Sequence, residues 1–258
     1  MRANGPRMIV KTSSVDVTTA SSPMRLFVAE PAQSSGTFPG LVLWTDIFGL
    51  TPATERAVVR FASYGFIVAV PEFYHRTEPI GTAIPFEDRD HAMMAASATR
   101  TPDFDADTRT TIDFLKAQPR VRSGAIGTTG FCIGGHLAVR AALQPEIVAT
   151  VAFYPTGLHD DSLGGSTGVD TLARASKGAI SGPIALAFGA SDPHIPLAGI
   201  TKIQTAFAGS KTPYLIAMYD GEHAFMRDEG PRYNPSESDR AYADAIAFFR
   251  DAFARVDG

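Results

Sequence analysis

The stretch that decides the fold is Ala125-Ile-Gly-Thr-Thr-Gly-Phe-Cys-Ile-Gly-Gly-His-Leu-Ala-Val139. Within it, Gly130 and Gly134 stand two residues before and after Cys132, between a strand-like run and a helical one. This is the pattern of a nucleophile elbow, a strained strand-to-helix turn that presents a reactive side chain. Glycine suits the flanking places because a side chain there would collide with neighbouring backbone. The turn also puts the sulfur at a helix N-terminus, where free N–H groups favour a thiolate.

Other interpretations of this stretch compete with the elbow. A solitary cysteine in an apolar strand is most often a small core residue. A glycine-rich turn can also cradle phosphate, but a P-loop needs a lysine after its last glycine and none is present here. The glycines at 127, 130, 134 and 135 also miss the Gly-x-Gly-x-x-Gly spacing of a dinucleotide site. We favour the elbow because both flanking glycines, the strand before and the helix after agree with it.

The composition limits the kinds of chemistry open to the chain. Its 258 residues are 45% hydrophobic, with 23 lysine and arginine residues against 27 aspartate and glutamate residues, a net charge of −4. This is typical of a soluble globular protein and argues against both extensive disorder and nucleic-acid binding. Cys132 is the only cysteine, which excludes an internal disulfide, a Cys-rich zinc site and a paired-cysteine redox site. We expect no metal and no cofactor.

The polar start of the chain and its short apolar runs indicate where in the cell the protein is expected. Residues 1–10 are interrupted by Gly5 and Pro6 and lack the apolar core of a signal peptide. Apolar runs such as residues 65–71 are far shorter than the roughly 18 residues that cross a bilayer. We expect a cytoplasmic protein without a membrane partner, either a monomer or a small homo-oligomer.

Short apolar runs alternate with helical patterns along most of the chain, which indicates a mostly parallel sheet covered by helices on both faces. Two alternating segments at 8–18 and 24–29 predict an antiparallel strand pair within residues 1–40. Buried strands are predicted at 41–44, 66–71, 125–130, 148–154, 184–189 and 214–219, and helices at 53–64, 103–117, 133–143, 197–207 and 236–254. We therefore predict a single α/β domain over residues 1–258.

Two looser segments, residues 76–101 and the glycine-rich residues 157–182, lie between predicted core strands. We interpret them as insertions over one rim of the sheet. Loops at the carboxyl ends of parallel strands are where open α/β sheets bind ligands. These segments are therefore candidates for the walls of a binding site.

A nucleophile at an elbow needs an acid and a histidine later in the chain, in that order. Asp192 follows the predicted strand 184–189, and His223 follows the last predicted strand. An exposed turn aspartate is the simpler interpretation of Asp192, but its order relative to Cys132 and His223 favours a catalytic one. His136 lies on the helix after the elbow and is predicted to be structural. His159, in the glycine-rich insertion, could be exposed or could line a site.

Five motifs together resemble the dienelactone hydrolase family, which includes carboxymethylenebutenolidases, within the α/β-hydrolase superfamily. They are Gly130-Phe-Cys-Ile-Gly-Gly, Gly189-Ala-Ser-Asp-Pro-His-Ile-Pro, Glu222-His-Ala-Phe, Trp44-Thr-Asp-Ile-Phe-Gly-Leu and Val70-Pro-Glu-Phe-Tyr. The resemblance covers about residues 41–249, and the cysteine elbow is its most specific part. It implies an α/β-hydrolase fold and a catalytic triad of Cys132, Asp192 and His223. It also implies an oxyanion hole formed by the backbone N–H groups of Ile47 and Ile133.

The resemblance also points to residues around the thiol and the substrate. Asp46 stands where the family has a glutamate that helps to activate the thiol, and is one methylene shorter. Arg227 matches a family arginine that holds the substrate carboxylate, and Arg89 falls near a second one. Either arginine could instead be a solvated surface charge. Met93 and Ala96 stand where the family has aromatic residues, which implies a pocket of different shape.

The predicted function is hydrolysis of a lactone or activated ester of a small molecule that carries a carboxylate, with Cys132 as the nucleophile. A broad-specificity carboxylesterase for small molecules is the first alternative. A catalytically silent protein that uses an accessible thiol to bind a ligand or sense redox state is the second. In each case the expected partner is a small molecule and not a nucleic acid.

Overall fold

The structure is a computed structural model and describes residues 9–33 and 35–256, so Met8, the first residue of the first predicted strand, lies outside it. Ten strands are present in the described residues. They are β1 (Val10–Thr18), β2 (Pro23–Pro31), β3 (Phe38–Trp44), β4 (Ile67–Pro71), β5 (Val121–Phe131), β6 (Ile147–Phe153), β7 (Ser162–Leu163), β8 (Ser166–Thr167), β9 (Ile184–Gly189) and β10 (Tyr214–Tyr219).

Eight of these strands form one sheet in the order β1-β2-β4-β3-β5-β6-β9-β10. The strand β2 pairs antiparallel with both β1 and β4, whereas the other pairs are parallel. The polar strand β1 lies at one edge and is mostly exposed, while β4 and β9 are buried along their whole length. The prediction that residues 214–219 form a buried strand is wrong: β10 lies at the opposite edge of the sheet, and only Tyr219 in it is buried. The predicted parallel sheet with an antiparallel strand pair at its start is confirmed.

Seven helices accompany the strands in the described part of the chain. They are α1 (Pro52–Ser63), α2 (Arg89–Ala98), α3 (Thr101–Ala117), α4 (Ile133–Ala141), α5 (Thr171–Ser176), α6 (Leu197–Ala208) and α7 (Pro235–Ala254). The side chains of Thr51 and Asn234 cap α1 and α7 by accepting hydrogen bonds from backbone N–H groups of their first turns. No helix within residues 9–33 and 35–256 is long and apolar enough to span a membrane.

Close approaches at the central strands show that helices cover both faces of the sheet. A side chain at Gly40 of β3 would meet Leu115 of α3. One at Gly127 of β5 would meet Phe253 of α7 and the side chain of Leu41. A side chain at Gly127 therefore points to the same face of the sheet as Leu41. Gly40 and Leu41 are neighbours along β3 and point to opposite faces, so α3 and α7 lie on opposite sides of the sheet.

The segments predicted as rim insertions contain short elements that the sequence pattern did not reveal. Residues 76–101 contain the helix α2, and residues 157–182 contain the hairpin of β7 and β8 and the helix α5. The hairpin packs against the end of α2, where a side chain at Gly165 would lie only 2.0 Å from the carbonyl oxygen of Ser97. Both segments are therefore held together beside the carboxyl ends of the parallel strands.

Candidate active site

The turn between β5 and α4 has the strained geometry expected of a nucleophile elbow. Cys132 has φ 60° and ψ −122°, backbone angles that residues other than glycine rarely adopt. A Cβ atom at Gly130 would lie 2.1 Å from the carbonyl oxygen of Gly134, and one at Gly134 would lie 2.3 Å from that of Thr45. The two glycines are therefore required by close backbone contacts on either side of the thiol.

The acid and the histidine of the predicted triad form a buried pair beside Cys132. Oδ2 of Asp192, which follows β9, lies 2.8 Å from Nδ1 of His223, which follows β10. The other carboxylate oxygen accepts a 2.7 Å hydrogen bond from the backbone N–H of His194. Cys132 and His223 line the same cavity of about 260 Å³. The fold thus brings together three residues that are separated by up to 91 positions in the sequence.

The surroundings of His223 favour its protonated form. Burial of the ring lowers its pKa, but the negative charge of Cys132, the hydrogen bond with Asp192 and the contact with the Cys132 sulfur outweigh burial. Together they raise the pKa of His223 from its ordinary value of 6.5 to about 9. At neutral pH the ring of His223 is therefore protonated.

Removing the thiol should lower the pKa of His223. In Cys132→Ala, burial still opposes the charged ring while only Asp192 supports it, so the pKa should fall clearly below about 9. An NMR titration of the His223 ring proton measures this shift directly. The control is Arg174→Gln, an exposed position outside the cavity, which should leave the pKa of His223 unchanged.

The same pKa shift links stability to pH. The folded-state pKa of His223 lies above its ordinary value, so the protonated ring stabilises the fold fully below pH 6.5. This contribution is lost as the pH rises through about 9. In the Cys132→Ala variant the loss of stability over that range should be smaller than in the wild type.

Asp46 lies in the same cavity, and its carboxylate is paired with Arg227. Oδ1 accepts a 2.9 Å hydrogen bond from the backbone N–H of Phe48, and Oδ2 lies 3.3 Å from an Nη atom of Arg227. Burial raises the pKa of Asp46, against the opposing charge of Arg227. Within the described residues, Asp46 forms no hydrogen bond with Cys132. Its carboxylate is held toward Arg227 in this state.

Arg227 is fixed from several sides. Besides its contact with Asp46, its Nε donates a 3.1 Å hydrogen bond to the carbonyl oxygen of Glu229. Its guanidinium carbon lies 4.2 Å from the ring centroid of Phe86 and 5.2 Å from that of Phe48. Such stacking fixes the orientation of the guanidinium, whereas nothing holds the guanidinium of a freely solvated arginine in one orientation.

Two backbone N–H groups are available where the resemblance implies an oxyanion hole. Ile47 and Ile133 both line the cavity, and neither backbone N–H donates a hydrogen bond to another described residue. The hydroxyl of Tyr74 donates a 3.0 Å hydrogen bond to the carbonyl oxygen of Ile47, which ties that peptide to the strand-end loop after β4. Both N–H groups are therefore free to donate a hydrogen bond to a molecule in the cavity.

Comparison with known proteins shows the family to which the chain belongs. The model of the dienelactone hydrolase family matches residues 24–253. The chain belongs to this family. A provisionally named carboxymethylenebutenolidase of Saccharomyces cerevisiae is 30% identical over 86% of this chain and 84% of its own length. The carboxymethylenebutenolidase of Pseudomonas sp. is 25% identical over 85% of this chain and 87% of its own.

Solved structures support the same fold. A provisionally named dienelactone hydrolase from Klebsiella pneumoniae superimposes with a TM-score of 0.81 at 21% identity, covering 94% of this chain and 99% of that one. The α/β-hydrolase fold predicted from the motifs is therefore confirmed. As a member of the dienelactone hydrolase family, the protein is a hydrolase that acts on carboxylic esters or lactones, and the catalytically silent alternative is set aside.

Among the positions where the family resemblance predicted substrate contacts, Arg89, Met93 and Ala96 all lie on α2 and line the cavity. Arg89 forms no salt bridge with any carboxylate of the described residues. The hairpin residues Ser162 and Leu163 form a further part of the wall. Both rim segments thus contribute to the cavity, in agreement with the sequence analysis.

The cavity lining includes polar residues that the sequence did not predict, among them Thr156, His194 and Arg232. Thr156 follows β6, and its hydroxyl lies 3.4 Å from the Cys132 sulfur. Its place at a strand's carboxyl end could have revealed it. His194 stands in a quoted motif, two residues after Asp192, and its ring packs edge to face against His223. Arg232 carries no sequence signal because it is a single arginine in the loop before α7.

The other two histidines that follow the elbow lie away from the cavity lining. His136 is fully buried on α4, and burial lowers its pKa to about 4, so it is neutral and packs in the core. His159 packs against α6, where a Cβ atom at Gly199 would lie 2.7 Å from its ring. The structural interpretation of His136 agrees with this position.

Proposed function

We propose that the protein is a cysteine-dependent hydrolase of lactones or activated esters of small molecules that carry a carboxylate. Cys132 is the nucleophile, His223 the base and Asp192 the residue that orients the base. The observation that carries the proposal is that the sulfur, the Asp192–His223 pair and two available backbone N–H groups meet at one cavity of about 260 Å³. A small substrate fits this volume.

The residues support a two-step acyl transfer. The proton of Cys132 rests on His223, and the sulfur attacks the carbonyl carbon, so that the oxyanion lies between the N–H groups of Ile47 and Ile133. Collapse of this intermediate forms a thioester and breaks the C–O bond, and His223 protonates the leaving oxygen. In a lactone, this oxygen stays attached to the acyl group.

Water completes the reaction. His223 removes a proton from the water molecule as it attacks the thioester carbonyl, and the tetrahedral intermediate forms again in the same oxyanion hole. Its collapse breaks the C–S bond, releases a carboxylic acid and returns the proton to the Cys132 sulfur. Because a thiolate is itself a good leaving group, the first step is efficient only when the leaving group of the substrate can compete with it, as an enol or phenol does and an alkyl alcohol does not.

Positive charge in the cavity supports an anionic substrate. Arg89, Arg227 and Arg232 line the cavity, while Asp46 is the only carboxylate among the described lining residues. Arg227 is paired with that carboxylate, whereas Arg89 has no such partner in the described chain. A substrate carboxylate would therefore complement the uncompensated charge, with Arg89 and Arg227 as the proposed contacts.

A matched pair of aryl esters tests this specificity, one neutral and one with a carboxylate on the acyl group. Arg89→Gln should raise KM for the anionic ester about tenfold, as expected for loss of a charged hydrogen bond, and leave the neutral ester unchanged. Arg174→Gln is the control because Arg174 is an exposed arginine of α5 outside the cavity.

The alternative of a broad carboxylesterase predicts a different result. Met93 and Ala96 leave this wall of the cavity without the family's aromatic side chains, which favours a less selective pocket. In that case both esters would be hydrolysed with similar kcat/KM, and Arg89→Gln would affect neither. Equal values for the two esters in the wild type would contradict the proposed carboxylate preference.

A further inference from the structure

His194 touches both partners of the Asp192–His223 pair, through different atoms. Its backbone N–H donates a 2.7 Å hydrogen bond to Oδ1 of Asp192. Its ring lies 4.7 Å from the ring of His223, centroid to centroid, at an angle of 84°. Because the first contact is made by the backbone, a substitution of the side chain removes only the second.

The hydrogen bond with Asp192 holds one end of the His223 ring but does not by itself fix its tilt. The ring of Tyr154 makes a second edge-to-face contact with His223, at 5.1 Å and 66°. Tyr154 is buried at the end of β6, and His194 lies on the cavity wall. The rings of Tyr154 and His194, together with the hydrogen bond to Asp192, therefore determine the plane of the His223 ring beside Cys132.

We propose that the ring of His194 is a positioning residue for His223, keeping the catalytic imidazole in the plane that serves both Asp192 and Cys132. This inference rests on the proposed function, since it concerns the base of the same reaction. An edge-to-face contact between a protonated and a neutral ring is attractive because the positive ring edge meets a negative ring face. The contact therefore requires a neutral His194.

The charged groups around His194 keep it neutral. Burial lowers its pKa most, followed by the positive charge of His223, and the charges of Arg89 and Arg232 act in the same direction. The negative charge of Asp192 opposes them. A protonated His194 would face three cations, whereas the neutral ring packs against His223 without repulsion.

The test compares His194→Phe with His194→Ala, using a neutral aryl ester as the substrate. The phenylalanine variant keeps an aromatic ring without ring nitrogens, and kcat should stay within about twofold of the wild type. The alanine variant removes the ring, and kcat should fall about fivefold with little change in KM. The NMR signal of the His223 Nδ1 proton, which reports its bond with Asp192, should persist in the phenylalanine variant and broaden in the alanine variant.

Two outcomes would overturn this role. If His194→Ala kept the wild-type kcat and the sharp Nδ1 signal, the ring would not position His223. If both variants lost kcat equally, the ring nitrogens and not the packing would matter. Thermal unfolding confirms that both variants fold, and Cys132→Ala is measured beside them. An active Cys132→Ala protein would refute the proposed function itself, which separates that failure from a failure of the His194 inference.

Discussion

Replacing Cys132 with alanine should lower kcat for an activated ester by about 10⁴-fold or more, because no other side chain can form the thioester. The residual rate comes from the oxyanion donors and from substrate binding. The measurement is initial-rate kinetics on a phenyl ester or a dienelactone with both proteins at equal concentration. A variant that keeps more than about a tenth of the wild-type kcat would contradict the assignment of Cys132 as the nucleophile.

Stability provides the control for this result. Alanine has the same difficulty as cysteine in adopting φ 60°. Above pH 9, where the protonated ring of His223 no longer adds to stability, Cys132→Ala should therefore unfold at nearly the same denaturant concentration as the wild type. Cys132→Gly should be equally inactive but more stable by about 1 kcal/mol, because glycine adopts this backbone conformation without strain. An inactive but more stable Cys132→Gly protein would show that the residue that supplies the thiol introduces backbone strain at the elbow.

The second large effect concerns the backbone around the elbow. Gly134→Ala should reduce the free energy of unfolding by about 3 kcal/mol or more, because the new methyl group would lie 2.3 Å from the carbonyl oxygen of Thr45. The loop that contains Thr45 also contains Ile47, a proposed oxyanion donor. A backbone shift that relieves the clash should therefore lower kcat as well, by about 100-fold for a displacement near 1 Å.

Urea unfolding and ester kinetics measure both parts of this prediction. Gly209→Ala is the matched control because Gly209 has an ordinary φ of −77° and a Cβ atom there would meet nothing closer than 3.6 Å. This variant should change the free energy of unfolding by no more than about 1 kcal/mol and should leave kcat unchanged. If Gly134→Ala behaved like Gly209→Ala, the close approach of the elbow to the loop after β3 would be refuted.

The main strands and helices were predictable because their signals are local. Each buried strand is a compact apolar run, and the long helices have apolar residues at helical spacing. The helix α2 was missed because its buried residues are all alanines, Ala92, Ala95 and Ala96, which give a weak apolar pattern. The strands β7 and β8 have two residues each, too few for any periodic signal.

Some residues of the proposed site are also predictable from the sequence, whereas others are not. Cys132 is visible in the sequence because backbone sterics demand glycines on both sides of it. Asp192 and His223 are visible because of their order and their places after strands. Thr156 and Arg232 are not visible, since only the packing of separate loops brings them to the cavity. The pairing of Asp46 with Arg227 joins residues 181 positions apart and also needed the structure.

Trapping the acyl-enzyme would identify the nucleophile of the reaction. The protein is mixed with an activated ester, quenched in acid within the first turnover and analysed by intact mass and peptide mapping. We expect a mass increase equal to that of the acyl group, carried by Cys132 as a thioester and absent from Cys132→Ala. An acyl group on another residue, or turnover by Cys132→Ala at the wild-type rate, would contradict it.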